Sequence, residues 1–224
     1  MFFKDLTNQD IVQDVGLVTS GIFQDGASSI TAFHTSSTQY TNTGDYNVDV
    51  YRYDPGTNTS ASVQFGVAYG HAEGSASLGL PGTAGDRTTA AVFGQFNNMI
   101  NPPQTQRFKF SGLDDVKQFY SLTFNRARIR EALEPGGWEL HINDGNHTVK
   151  LIDDSSTSKG GNTDQRNFSP EYNIVSGTLV GGTTIKTTAT DEGTSIGSYC
   201  LFFPSLANIT FNPFRLPTAT LTLL

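Results

Sequence analysis

The sequence predicts a mainly β protein: an antiparallel β-sandwich-like fold with one main helix at about 88–100 and one short helix at about 126–133. Three observations support this class. The chain is 16% charged and 36% hydrophobic, and it holds 23 glycines among many Thr and Ser residues. Short apolar runs alternate with polar residues, which is typical of strands. Turn dipeptides such as Asp-Gly and Pro-Gly separate these runs, as they do in hairpins.

The length, 224 residues, is enough for one domain with a sizeable core. We expect an N-terminal arm over 1–20, a single β-rich domain over 21–212 and an apolar tail over 213–224. The tail contains Phe214 and Leu216 and almost no charge. Disordered tails are usually polar, so we expect this one to dock on a neighbouring subunit. An intramolecular closing strand is the alternative.

The first half of the chain shows hairpin and helix signals. Asp25-Gly26 predicts a tight turn joining Ile22 and Phe23 to an apolar run over 30–34. Residues 46–53 alternate as a strand, and 61–69 form the returning strand. The helix over 88–100 is predicted by apolar residues at i, i+3, i+4 and i+7. They are Val92, Phe93, Phe96, Met99 and Ile100. Gly94 in this helix costs about 1 kcal/mol relative to Ala, which predicts a close approach of another element.

The most informative stretch is 119–142. An aromatic strand over 119–124 is followed by Asn125 as a helix cap, a short helix, a Pro-Gly-Gly stop and a strand over 138–142. Three arginines lie within the short helix: Arg126, Arg128 and Arg130. One interpretation pairs them with Glu131 and Glu134. The other turns them toward a second subunit, because Arg is enriched at interfaces. With Phe214 and Leu216 they form the candidate subunit interface.

Charge and cysteine content argue against several classes of partner. The net charge is −7 and the pI about 4.9, with no basic stripe, so we expect no nucleic-acid partner. No apolar run is long enough to span a membrane, and the N-terminus lacks a signal-peptide pattern, so we expect neither membrane insertion nor export. The single cysteine, Cys200, lies in an apolar run and is predicted to be an inert buried thiol.

Catalytic and metal patterns are weak. His141, Asp144 and His147 could meet across a hairpin turn and suit zinc, but nothing supplies a fourth ligand. The carboxylate pairs Glu131–Glu134 and Asp153–Asp154 are too close in sequence to flank a glycosidic bond. Nucleophile-elbow, phosphate-loop and dinucleotide patterns are absent from the sequence. We therefore predict no catalytic residues, no metal, no cofactor and no enzymatic activity.

Aromatic residues leave a binding function open. Tyr51, Tyr53 and Trp138 are the candidates for stacking on sugar rings, so a glycan is an alternative partner. Trp138 alternates with Leu140 and Ile142, which predicts burial instead.

Several sequence blocks resemble a known family. They are Thr-Ser-Gly-Ile at 19–22, Asp-Gly at 25–26, Val-Asp-Val-Tyr at 48–51, 63–71, 125–140 and Tyr-Asn-Ile-Val-Ser-Gly at 172–177. In this order they resemble a virion structural protein of large contractile-tailed marine phages, the cyanophage type. The resemblance implies a repeated, non-catalytic subunit of the tail, baseplate or neck, assembled in the host cytoplasm with itself and other virion proteins. A head decoration protein and a receptor-facing carbohydrate-binding module are the alternatives.

Overall fold

The computed structural model describes residues 18–19, 21–35, 47–74, 88–100, 110, 116–143, 148–155, 171–177 and 199–214. These residues form a mainly β structure with one α-helix, as the sequence predicts, and it is consistent with a β-sandwich-like class. The strands are β1 (Val18–Thr19), β2 (His34–Thr35), β3 (Asn47–Tyr51), β4 (Val63–His71), β5 (Gln118–Phe124), β6 (Ala132–Leu133), β7 (Leu140–Asn143), β8 (Thr148–Asp153), β9 (Tyr172–Ser176), β10 (Cys200–Phe203) and β11 (Asn208–Phe211). The helix, α1, spans Thr88–Ile100.

Nine of these strands form one antiparallel sheet in the order β2-β3-β4-β5-β11-β10-β9-β8-β7. The last hairpin, β10–β11, lies in the middle of this sheet, between β5 and β9. A 3-10 turn over Pro204–Leu206 and the left-handed Ala207 (φ 54°) join its two strands. A second, two-stranded sheet pairs β1 with β6 in parallel, so the end of the predicted arm contacts the main body.

The sheet is buried on both faces. One face carries the larger cluster, which runs from Val50 on β3 to Leu151 on β8 and includes Phe202 and Ile209. The opposite face packs Phe119, Leu201 and Phe203 against α1. Neighbouring residues of β10 therefore point to different cores. This arrangement explains why its sequence, Cys-Leu-Phe-Phe, is apolar without alternation.

Helix α1 has the predicted bounds but a rotated apolar face. Phe93 and Ile100 are buried, whereas Met99 is 43% exposed. Thr89 and Asn97 are buried instead, one turn before and one turn after Phe93 on the same side of the helix. The prediction of Met99 on the core face is wrong, because a polar pair completes that face.

The close approach predicted at Gly94 occurs at another glycine. A Cβ atom built on Gly94 would meet no described atom within 4 Å. One built on Gly70 of β4 would lie 2.8 Å from Phe119 Cζ and 3.0 Å from Phe93 Cα. Helix α1 thus packs on β4 at Gly70. Because Phe93 Cα is part of the helix backbone, it cannot move away from an added Cβ at a low cost in energy.

We expect Gly70→Ala to lower the free energy of unfolding by about 2 kcal/mol, since overpacking forces the helix off the sheet. Gly94→Ala is the matched control and should instead stabilise by about 0.5–1 kcal/mol, because Ala is the better helix former. Urea denaturation of both variants checks this. Equal effects of the same sign would contradict it.

Two local predictions are corrected. The stretch 126–133 is not one helix: Arg126–Arg128 form a 3-10 turn, and Ala132–Leu133 form β6. Ala132 and Leu133 pair with β1, so the backbone is in an extended conformation where the sequence predicts the end of a helix. The Asp25-Gly26 turn exists, with φ of 63° and 68°, but Ile22, Phe23 and residues 30–33 form no strand, and only His34 of the predicted second arm belongs to one, β2. Among the described residues, no helix is long and apolar enough to cross a membrane.

Candidate functional site

Residues 126–130, called the arginine segment below, pack over an irregularity in the pairing of β3 with β4. Val50 pairs with Phe65 and Tyr51 with Val63, so the register skips Gln64. Such a bulge re-aims a side chain, and Gln64 is 1% exposed. The Gln64 carbonyl accepts a hydrogen bond of 2.9 Å from the Asn125 N–H, directly before the arginines.

The Gln64 side chain is the centre of a polar cluster. Its Oε1 accepts from the Gln24 backbone N–H (2.6 Å) and from Arg128 Nη1 (3.0 Å). Its Nε2 donates to the Ser62 carbonyl. Gln24 Oε1 in turn accepts from Ser62 Oγ at 3.0 Å. A buried amide is stable only when paired, and here both ends of it are paired.

The three arginines have different environments. Arg128 is half-buried, and its guanidinium donates to Gln64 Oε1 and Ser62 Oγ, so it ties the segment to β4. Arg126 is exposed and donates from Nη2 to the Glu131 carbonyl at 3.0 Å. Arg130 is exposed as well. Asn125 caps the turn as predicted, because its Oδ1 accepts from the Ala127 N–H at 3.1 Å.

The tyrosine candidates lie beside the same cluster. The Tyr53 hydroxyl donates to Asp25 Oδ2 (2.8 Å), and Arg52 approaches that oxygen at 3.7 Å. The pKa of Tyr53 is raised. The main cause is the hydrogen bond to Asp25, and burial is the second cause. The Arg52 guanidinium lies 5.2 Å from the Tyr53 ring centroid, a cation–π distance, so one face of the ring is already covered. Tyr51 is half-buried in β3.

The sequence predicts that Trp138 is buried, whereas in the structure it is half-buried. Its ring packs edge-on against Phe202, with centroids 5.3 Å apart. Its Nε1 is buried and has no hydrogen-bond partner among the described residues. A cleft of about 30 Å³ adjoins the ring. The cleft is lined by Ile22, Phe124, Leu133, Glu134, Gly137, Trp138, Phe202 and Ile209. That volume suits one or two waters and is far below a ligand pocket.

The tail candidates are described in part. Phe214 is 53% exposed, and its N–H donates to Asn212 Oδ1 at 3.1 Å. Leu216 lies outside the described residues.

The two carboxylates at the end of β8, Asp153 and Asp154, have structural partners. Asp153 is 2% exposed and accepts from the Gly136 N–H (2.8 Å) and the Ser155 N–H (3.0 Å). Asp154 accepts from the Asn173 N–H at 3.0 Å, while burial raises its pKa. Both groups therefore tie turns to the sheet.

The described residues contain no group of three or more His, Cys, Asp or Glu side chains that could hold a metal. His141 is on β7, and Asp144 and His147 lie outside the described residues. Cys200 is 0% exposed, and burial raises its thiol pKa well above the usual value, as expected of an inert thiol.

Sequence reasoning missed the glutamines of this cluster. Gln64 lies between Val63 and Phe65, so simple alternation predicts that it points to the polar face. Only the bulge turns it inward. The nearest signal was the Asn125 cap, which holds the turn that brings Arg128 against β4.

No protein-family model, no curated protein and no solved structure matches this chain.

Proposed function

We propose that the protein is a repeated structural subunit of a tailed-phage virion, in the tail, baseplate or neck, that binds copies of itself and other virion proteins. The observation that carries this proposal is the open sheet. In the described part of the chain, β2 borders only β3, and β7 borders only β8. An open edge strand is a template for pairing with another chain, and assemblies use it for that purpose.

Exposed aromatic residues support the same function. Phe33 is 57% exposed directly before the edge strand β2, and Phe214 is 53% exposed after β11. Large apolar side chains exposed to water favour contact with a partner, and Phe33 lies next to an open edge. The sequence blocks that resemble the phage family support the choice of particle, a tailed-phage virion.

The arginine segment contributes to this proposal in a reduced form. Arg126 and Arg130 are exposed and remain candidate interface residues. Arg128 is bonded to Gln64 within the chain, so its role is to hold the segment in place. We expect Arg126→Ala to weaken assembly with little change in the stability of the single chain.

Mass spectrometry of density-purified particles of a phage that encodes this chain tests the proposal directly. We expect the protein in every preparation, at a fixed ratio to the major head protein. A protein found only in the lysate, and never in particles, would overturn the virion role.

We expect Phe214→Ser to weaken self-association of the purified chain at least tenfold while leaving its melting temperature unchanged. The physical reason is that an exposed ring contributes to binding and not to the core. Met99→Gln is the matched control, an exposed apolar residue on α1 that should have no effect. Sedimentation velocity over a concentration series measures both. Unaltered association of Phe214→Ser would remove Phe214 from the interface.

A further inference from the structure

We infer that β7 pairs antiparallel with β7 of a second copy, with Leu140 facing Leu140 and Glu139 facing His141 across a two-fold axis. This inference rests on the self-assembly proposed above and names its interface. The pairing would join two nine-stranded sheets into one continuous sheet.

The first step concerns the direction of the backbone at the open edge. His141 of β7 pairs with Lys150 of β8. The Lys150 carbonyl accepts a hydrogen bond of 2.9 Å from the Gly177 N–H, on the β9 side. The polar backbone groups of one strand residue point to the same side, so those of Lys150 face β9. His141 and Lys150 are therefore a non-hydrogen-bonded pair, and the N–H and C=O of His141 point away from β8, toward the edge.

The second step concerns protection of that edge. Natural edge strands are usually blocked by Lys, Pro, a bulge or a covering segment. β7 reads Leu-His-Ile-Asn, and its pairing with β8 is regular over all four residues. It carries neither Lys nor Pro. The strand is thus suited to accept a further strand.

The third step concerns charge. Glu139 and His141 lie on the same side of the strand, and the His141 Nε2 contacts Glu139 Oε1 within the chain. The His141 side chain is 50% exposed. Lys150, directly beside His141 on β8, is exposed as well. An antiparallel copy centred on Leu140 brings its Glu139 opposite His141, in line with Lys150 one strand further on. A negative group then meets a row of two basic groups in each half of the interface.

The fourth step excludes the neighbouring register. Outward-facing residues must meet outward-facing residues, so the register changes in steps of two. A shift by one such step places His141 opposite His141 and Glu139 opposite Asn143. That register loses both Glu139–His141 contacts, and like groups directly opposite one another destabilise a pair. The register centred on Leu140 is self-complementary, as a two-fold interface requires.

Charge exchange tests the pairing on the full chain. Glu139→Lys places a cation opposite His141 of the second copy, and His141→Glu places two carboxylates opposite each other. We expect each variant alone to dimerise at least tenfold more weakly than wild type. An equimolar mixture of the two should dimerise like wild type, because each interface row then regains a carboxylate opposite a basic side chain. Within each chain the like charges persist, so only contact between chains can restore the dimer. A mixture no stronger than the single variants would overturn the inference.

Cysteine cross-linking gives a readout that does not depend on affinity. Cys200 is 0% exposed and does not interfere. Hydrogen-bonded antiparallel pairs have Cα atoms about 5.5 Å apart, within disulfide reach. A mixture of Glu139→Cys and His141→Cys chains should cross-link on mild oxidation, and neither variant should do so alone. Efficient cross-linking of His141→Cys by itself would overturn this register. Particles that contain the protein while these tests fail would leave the virion role intact and remove only this interface.

Discussion

Phe202→Ala should lower the free energy of unfolding by about 3–5 kcal/mol, the largest effect expected of a single substitution in this chain. Phe202 is 0% exposed in β10, close to the centre of the nine-stranded sheet. It contacts Trp138 and Tyr172, with ring centroids 5.3 Å and 6.4 Å away. Tyr172 is held in the neighbouring strand β9, so the cavity left by Ala cannot collapse fully.

Guanidinium denaturation followed by fluorescence measures this loss, since Trp138 is the only tryptophan and contacts the altered site. Phe33→Ala is the matched control: Phe33 is 57% exposed and its loss should cost less than about 1 kcal/mol. A cost below about 1 kcal/mol for Phe202→Ala would show that the cluster is loosely packed there.

Asn208→Ala should destabilise the fold by about 3 kcal/mol, because it leaves buried hydroxyl groups without their partner. Asn208 is 0% exposed in β11. Its Nδ2 donates to Ser121 Oγ (2.6 Å) and Thr123 Oγ1 (2.9 Å), and its Oδ1 accepts from Thr210 Oγ1 (3.0 Å). This cluster joins β11 to β5 on the face that carries α1.

Replacing the whole cluster separates packing from hydrogen bonding. Asn208→Leu combined with Ser121→Ala, Thr123→Val and Thr210→Val removes donors and acceptors together, and it should recover most of the loss. Asn47→Ala, at an exposed position of β3, is the control and should be nearly neutral. If the four-fold variant is no more stable than Asn208→Ala, shape and not hydrogen bonding explains the loss.

The candidate site was predictable only in part. Local signals located Asn125 as a cap, Arg126 as an exposed cation and Phe214 as an apolar residue outside the core. They did not show that Arg128 turns inward, because its partners Gln64 and Ser62 lie 64 and 66 residues away in the chain. They also placed Trp138 fully inside, whereas it is half-buried at the mouth of a small cleft.

The sequence by itself determined the mainly β class, the bounds of α1 and the approximate positions of β3, β4, β5 and β7, since periodicity of 3.6 or 2 is a property of neighbouring residues. It also determined the buried thiol at Cys200, because burial follows from the apolar run around it. Only the tertiary structure decided where those elements lie. The placement of β11 between β5 and β10 depends on contacts such as that of Asn208 with Ser121, 87 residues apart. The bulge at Gln64, the tight contact at Gly70 and, among the described residues, the edge position of β7 likewise depend on how separate elements pack. Such pairings are chosen by the fit of distant surfaces, which no local pattern encodes.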